Sequence, residues 1–312
     1  MPEGVSTRGA LPDDARRVFE LIEAADLVDI GEKMVDLSDI ESDWASAERT
    51  IADDVLLVDA GGELVAWAQV NGERADADVH PSHRGLGIGL ALVEWTERTA
   101  LERGGCGTRI GQTVIEGLGG TRELFIDRGY QKGWDSWVLR MPHEATPKAP
   151  SVGPCITIRT ARADEDHAVY FVVENAFNEW DGRTPRTFEQ WKSGTLDRTD
   201  FDRSLLFVAA TDSAESDRAE SDRAEIAGDE IAGVCFGVQY PDEGWADQIA
   251  VVPEYRGRGL ARAMLARLFD EFRSRGETRL GLNTDSRTGT LGLYLDIGMV
   301  VTQTFTRWSR TV

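Results

Sequence analysis

Apolar residues follow two spacings along this chain, and the same succession of spacings occurs twice. Each half opens with a short strand, ending near Arg8 in the first and Arg159 in the second. A helical spacing follows over 13–25 and again over 165–177. Strand-length apolar runs come next, 54–59 with 63–70 and 205–210 with 230–240. Ala60-Gly61-Gly62 between the first pair is a tight-turn signal. In both halves a later apolar run stops at a proline and passes through a glycine turn into an amphipathic helix. In the second half this is 249–261, and Leu260, Met264, Leu265, Leu268, Phe269 and Phe272 fall at the spacing of one buried helix face. A strand (108–115; 279–283), a short helix and a final strand complete each half.

The halves also match residue by residue. Segment 79–89 aligns with 251–261, each with a proline three residues before an arginine, 124–130 aligns with 293–299, and 7–14 with 158–165. Separated matches in one order predict a duplicated domain. The copies are expected over 1–141 and 156–312, divided at 142–155. There Pro142, Pro147, Pro150 and Pro154 lie among small and charged residues and predict a semi-rigid spacer. The second copy carries an insertion, 211–229, with the period-five repeat Ala-Glu-Ser-Asp-Arg at 214–218 and 219–223. Too acidic to bury anything, it predicts a disordered hairpin tip.

Strand, glycine turn and helix start together make a cradle for a polyphosphate. Backbone N–H groups there lack helical partners, the dipole is positive and glycine admits close approach. Arg256 and Arg258 can add charge-assisted hydrogen bonds. The spacing is neither the G-x-G-x-x-G dinucleotide fingerprint nor a Walker loop. Arg256-x-x-Gly259-x-Ala261 after Val251-x-Pro253, and its duplicate Arg84-x-x-Gly87-x-Gly89, instead resemble the acyl-CoA pyrophosphate signature of the GCN5-related N-acetyltransferases (GNAT).

That resemblance implies an α/β fold (α+β, mixed sheet) of two tandem GNAT acyl-CoA N-acyltransferase domains. It implies acetyl-CoA as cosubstrate, a small-molecule amine as acceptor and no metal. It places acyl-CoA on Arg256, Gly257, Arg258, Gly259, Leu260 and Ala261, and in the first copy on Arg84, Gly85, Leu86, Gly87, Ile88 and Gly89. In such proteins the preceding strand splays from its neighbour and its amides polarise the thioester. By position these belong to Ile249, Ala250 and Val251, and in the first copy to Ala77, Asp78 and Val79. Tyr294 stands where relatives keep the acid for the departing thiolate, whereas the first copy has Phe125, which has no proton to give. The C-terminal copy is therefore expected to work and the N-terminal one to be catalytically degenerate. Asn283 is expected on the pantetheine arm. Ser286 and Arg287 replace an Asn-Pro pair frequent in the family. Asp247, just before the splayed strand, is the leading general base, with Glu174, Glu179 and Asp181 as further candidates. The acceptor side is expected along 176–191, where aromatic and acidic residues mix.

Tandem acetyltransferases with one degenerate half include the mycothiol synthases of actinobacteria, which acetylate the cysteinyl amine of a glucosaminyl-inositol conjugate. Architecture and composition suit them, but the His-Pro-Glu-Gln-Gly and Trp-Phe-Asp-Pro patterns of their acceptor side are not found here. A reading from another class is a non-catalytic acyl-CoA sensor, which Phe125 and Ser286-Arg287 favour and Tyr294 opposes.

Composition narrows the picture further. The 312 residues suit two domains and carry a formal net charge of −21, which disfavours nucleic acid and anionic membrane as partners. Lys33, Lys132, Lys148 and Lys192 are the only lysines, a bias that a GC-rich genome or a high-salt habitat would each produce. No apolar run is long enough to span a bilayer and the N-terminus lacks a signal-peptide pattern, so a cytoplasmic monomer or homodimer is expected. Cys106, Cys155 and Cys235 have no metal spacing, and His80, His83, His143 and His167 form no constellation.

Overall fold

The computed structural model describes residues 1–45, 50–148, 150–180, 183–211 and 230–312. The acidic insertion beyond Thr211 and the candidate base Asp181 lie outside them. The first half of the chain forms β1 (Val5–Gly9), α1 (Ala15–Asp29), α2 (Leu37–Trp44), α3 (Ile51–Asp54), β2 (Val55–Ala60), β3 (Glu63–Asn71), β4 (Arg74–Val79), α4 (Ile88–Gly104), β5 (Arg109–Ile115), α5 (Gly119–Asp127) and β6 (Gln131–Arg140). The second half forms β7 (Ile156–Thr160), α6 (Asp166–Phe177), α7 (Phe188–Thr195), β8 (Leu206–Thr211), β9 (Glu230–Gln239), β10 (Gly244–Val251), α8 (Leu260–Ser274), β11 (Leu280–Asp285), α9 (Leu291–Asp296) and β12 (Val300–Thr311). The expected order is present in both, and α2 and α7 are additions that the apolar spacing did not predict.

The compact units do not follow the contiguous division at 141 and 156. One consists of Met1–Asp135 with Gln303–Val312, the other of Ser136–Thr302. Each unit's closing strand is thus supplied by the other half of the chain. In the first unit β12 runs antiparallel to β5, from Phe305↔Ile115 to Thr311↔Arg109. In the second, β6 runs antiparallel to β11, from Gly281↔Arg140 to Asp285↔Ser136. Strand periodicity says which residues pair but not with which sheet, because either edge satisfies the same backbone groups.

In the first unit β1-β2-β3-β4 form an antiparallel sheet, and β4 meets β5 in parallel. Gly61 and Gly62 take φ +60° and +93°, the left-handed pair a two-residue hairpin between β2 and β3 requires. One sheet face buries Val55, Leu57 and Trp67 under Val18, Leu21 and Ile22 of α1 and Ile40 and Trp44 of α2. The other buries Ala66 and Ala68 under Ile88 and Leu92 of α4, and Ile110 under Phe125 of α5.

The second unit repeats this layering. Trp191 of α7 and Val169 and Val173 of α6 cover Leu206, Val208, Val234 and Phe236. On the opposite face α8 brings Leu260, Met264, Leu265, Leu268, Phe269 and Phe272, all fully buried, against Phe207, Cys235 and Leu282. The described part of 142–155 is not a free spacer, since Ala145 and Val152 pack on this core and Arg273 donates to the Ala145 carbonyl. The duplication extends to ion pairs. Arg8 grips Asp14 through two 2.6 Å hydrogen bonds, and Arg159 grips Glu165 at 2.6 and 2.9 Å, each tying a strand end to the turn that starts the next helix.

Candidate active site

In the second unit the centre of interest is β10. Its antiparallel pairing with β9 shifts register between Ala246 and Gln248, so Asp247 is the extra residue of a β-bulge. Its parallel pairing with β11 covers only Gly244↔Leu280, Trp245↔Gly281 and Ala246↔Leu282, and beyond Ala246 no pairing to β11 continues. The strands therefore part where the bulge begins. The Val252 N–H donates to the Ala232 carbonyl of β9. Since successive amides face opposite edges, the N–H groups of Ile249 and Val251 face the gap while that of Ala250 turns to β9. Of the three expected amides, the odd-numbered two are the ones that face the gap. The same reasoning holds in the first unit, where the His80 N–H donates to Val65 and leaves Ala77 and Val79, but not Asp78, facing outward.

Both cradles are built alike. Gly85 and Gly87 take φ +75° and +84°, Gly257 and Gly259 +75° and +81°, and no side chain caps α4 or α8. The first turn of α8 bonds only from the Ala263 N–H to Gly259, which leaves the N–H groups of Leu260, Ala261 and Arg262 directed out of the helix start, as an anion site requires. Pro150 lies against Gly259, closely enough that a Cβ there would overlap the proline ring. The backbone thus fits an acyl-CoA pyrophosphate without side-chain help.

The arginines at both cradles have protein partners of their own. Arg256 donates to both carboxylate oxygens of Glu179 at 2.7 and 2.9 Å and to the Val251 carbonyl at 3.0 Å. Arg84 does the same with Asp29 at 2.6 and 2.9 Å and with Val79 at 3.1 Å. A guanidinium fork pairs bidentately with carboxylate and phosphate alike, and here the carboxylate occupies it. The fork clips the last residue of α1 in the first copy, and the turn after α6 in the second, to the strand end behind the cradle. Arg258 lies 4.9 Å over the Tyr255 ring. Leu86 is exposed, whereas Ile88 and Leu260 are buried as the helices' first apolar anchors.

Tyr294 is buried on the α8 face in the same core as Cys235, with the Thr290 side chain nearby. Burial pushes the phenol up to about 12, so it stays protonated as a hydrogen-bond donor. Thr290 joins Thr284 at 2.8 Å and Thr288 at 2.7 Å, a hydroxyl cluster that the sequence did not announce. Phe125, at the matching place, is fully buried between Tyr130 and Trp308, with ring centroids 4.7 and 6.5 Å away. Asn283 is exposed on β11, one residue past its last pairing with β10.

Asp247 lines a cavity of about 370 Å³ with Phe177, Arg183, Thr184, Arg186 and Gln248. Its carboxylate reaches solvent, yet desolvation by the surrounding walls pushes it above the usual range, against the pull of Gln248, Arg198 and Arg186. Gln248 holds it at 3.1 Å, and is itself held by Trp191 and Thr195, each at 3.3 Å. The other two candidate bases among the described residues are engaged. Glu174 accepts from Arg183 at 2.7 and 2.8 Å and from Arg186 at 2.9 and 3.0 Å. These bonds outweigh its burial and hold it down at about 2. Glu179 is lowered by its bond to Arg256. Ser286-Arg287 leaves a further trace, because Arg287 bonds Asp285 and lies 5.4 Å over the Trp180 ring.

The first unit's carboxylates differ. Burial pushes Asp78 up to about 7 despite a 2.9 Å hydrogen bond from Trp67, with Asp26, Asp76 and Asp29 adding repulsion. His80 and His83 bond Ser82 at 2.7 and 2.9 Å in the turn before the cradle. Among the described residues no group of three or more potential ligands could hold a metal, and no helix is long and apolar enough to cross a membrane.

The acetyltransferase (GNAT) family model matches residues 16–130 and 170–299. The chain belongs to this family, and it is an N-acetyltransferase. It is 29% identical over 256 residues to a mycothiol acetyltransferase of Nocardia farcinica, covering 78% of each chain. It is 26% identical over 259 residues to another from Thermobispora bispora, covering 81% of this chain and 80% of that one. Among solved structures, a GCN5-related N-acetyltransferase from Sphaerobacter thermophilus superposes with TM-score 0.80 at 28% identity, covering 100% of this chain and 96% of that one. A tandem GNAT protein from the clavulanic acid pathway superposes with TM-score 0.70 at 14% identity, covering 98% of both, and shares the fold. The family's cosubstrate, acetyl-CoA, is the ligand for which the acetyltransferase's cradle geometry is suited.

Proposed function

We propose that the second unit transfers an acetyl group from acetyl-CoA to the primary amine of a small molecule, and that the first unit is catalytically idle. The parting of β10 from β11 supports this reading, because it leaves two outward amides close in sequence to a bulged carboxylate, in the unit that keeps Tyr294. The thioester carbonyl would accept from Ile249 and Val251, which strengthens as negative charge develops on its oxygen. Asp247, raised above the usual carboxylate range, takes the amine proton directly or through one water. Tyr294 donates to the departing sulfur. With its own acidity weakened it favours a shared hydrogen bond over complete proton transfer. Leu260, Ala261 and Arg262 would hold the pyrophosphate.

The test compares full-length Tyr294→Phe, Phe125→Tyr and Asp247→Asn by thiol release from acetyl-CoA over a pH range. Tyr294→Phe should lower kcat by about 10²-fold with little change in KM. Asp247→Asn should abolish the fall in rate toward acid pH, and Phe125→Tyr should leave the rate unchanged. Full activity in Tyr294→Phe would sink the assignment of roles to the two units.

A second reading, mycothiol synthesis, is favoured by the two mycothiol acetyltransferase relatives. Absence of thiol release with every amine would instead favour an acyl-CoA sensor.

A further inference from the structure

The wall of the acceptor cavity is cationic in a chain whose formal net charge is −21. Arg183 and Arg186 both line it, and both bond the single carboxylate of Glu174, which is buried. One negative charge between two guanidinium groups leaves one positive charge over. Glu174 engages the Nη1 and Nη2 of Arg183 but only the Nε and Nη2 of Arg186. Among the described residues no protein acceptor bonds Arg186 Nη1, and this side chain is 38% exposed toward solvent. Glu174 and the backbone N–H of Arg186, bonded at 3.0 Å, fix the guanidinium so that it costs little further entropy to use. Asp247 lines the same cavity, as does Phe177, on whose ring Arg183 stacks at 5.6 Å.

A plain amine would engage Asp247, the other carboxylate that faces Arg186, and would bring no anion of its own to that guanidinium. An acceptor bearing both an amine and an anion satisfies both walls. Resting on the transfer reading above, we propose that the acceptor is a small zwitterion, an amine that also carries a carboxylate or phosphate, and that Arg186 binds that anion while the amine faces Asp247. The cavity of about 370 Å³ suits a molecule of amino-acid or amino-sugar-phosphate size. Arg183 keeps Glu174 neutralised and so holds the loop that carries Arg186.

The experiment uses the full chain with acetyl-CoA and matched acceptors. α-Amino acids are assayed beside the amines left by removing their carboxylate, and O-phosphoethanolamine beside ethanolamine, with thiol release as readout. The anionic member of a pair should be preferred about tenfold or more in kcat/KM, which corresponds to about 1.4 kcal/mol. A carboxylate-only or phosphate-only preference identifies which anion the site takes. Arg186→Gln, which keeps a polar contact to Glu174, should erase the preference by raising KM for the anionic members more than for their neutral partners. Arg186→Lys should restore part of it. Equal turnover of both members, or a preference untouched in Arg186→Gln, overturns the zwitterion while leaving acetyl transfer standing. No thiol release from any amine overturns both.

Discussion

At the residue scale, the two units hold carboxylates of opposite character. Glu174 has its charge matched by arginines and sits at about 2 against an ordinary 4.5. It therefore contributes stability that is present above pH 4.5 and lost as pH falls toward 2. Asp78 sits at about 7 against 3.8, because the surrounding protein desolvates it, nearby carboxylates repel its charge, and the Trp67 indole N–H that donates to it compensates only in part. Here the folded state binds the proton more tightly than the unfolded chain. Stability is greatest below pH 3.8 and is lost as pH rises toward 7. Asp78→Asn keeps an acceptor for Trp67 and removes the charge. It should raise the stability of the first unit by about 1–3 kcal/mol at pH 8 and leave it unchanged near pH 4, read from urea unfolding at the two pH values. Equal effects at both would show that Asp78 is not held above its ordinary value.

At the element scale, each cradle is a helix start whose geometry depends on glycine at one place. Gly259 combines φ +81° with the Pro150 ring against its open side. Its counterpart Gly87 has φ +84° but meets only Pro2, with its Cγ 3.8 Å from a built Cβ. Left-handed backbone costs an alanine about 1–2 kcal/mol in both copies, and only Gly259→Ala must also displace the proline. Gly259→Ala should thus lower CoA affinity more than Gly87→Ala while both variants remain folded, as calorimetric titration beside circular dichroism would show. Similar losses would mean that the Pro150 contact is incidental. The bulge at Asp247 works at this scale too. One extra residue ends the pairing to β11, aims a carboxylate into the cavity and exposes two amides.

At the scale of the whole molecule, the exchanged closing strands make neither half of the chain a complete folding unit. Trp308 and Ser309 of β12 are buried in the first unit, and Arg310 bonds Glu97 and the Arg128 carbonyl there. Deleting 303–312 should therefore weaken the first unit, not the half of the chain it was cut from. Hydrogen exchange would detect this as lost protection in β5, with β8 and β9 left protected. The reverse pattern would contradict the exchange. For the same reason an isolated 1–141 fragment lacks the strand that covers β5, and its inactivity would say nothing about Phe125. Variants in the full chain are required.

The sequence by itself determined the family, the duplication, both cradles and the contrast between Tyr294 and Phe125. These rest on local signals: glycines needed at left-handed positions, apolar spacing along one helix face, and a hydroxyl present or missing within a motif. What Arg84 and Arg256 do was not legible, since their carboxylate partners Asp29 and Glu179 lie 55 and 77 residues away. Nor was the fate of the candidate bases. Glu174 and Asp247 read alike along the chain until packing matched one with two arginines and desolvated the other. Arg183 and Arg186 had a faint signal, two arginines three apart beside the aromatic residues of 176–191. Only the fold of that loop onto α6 turned them toward one cavity. The strand exchange was beyond any local pattern, because β6 and β12 carry the same alternation whichever edge they close, and tertiary contact alone chooses between them.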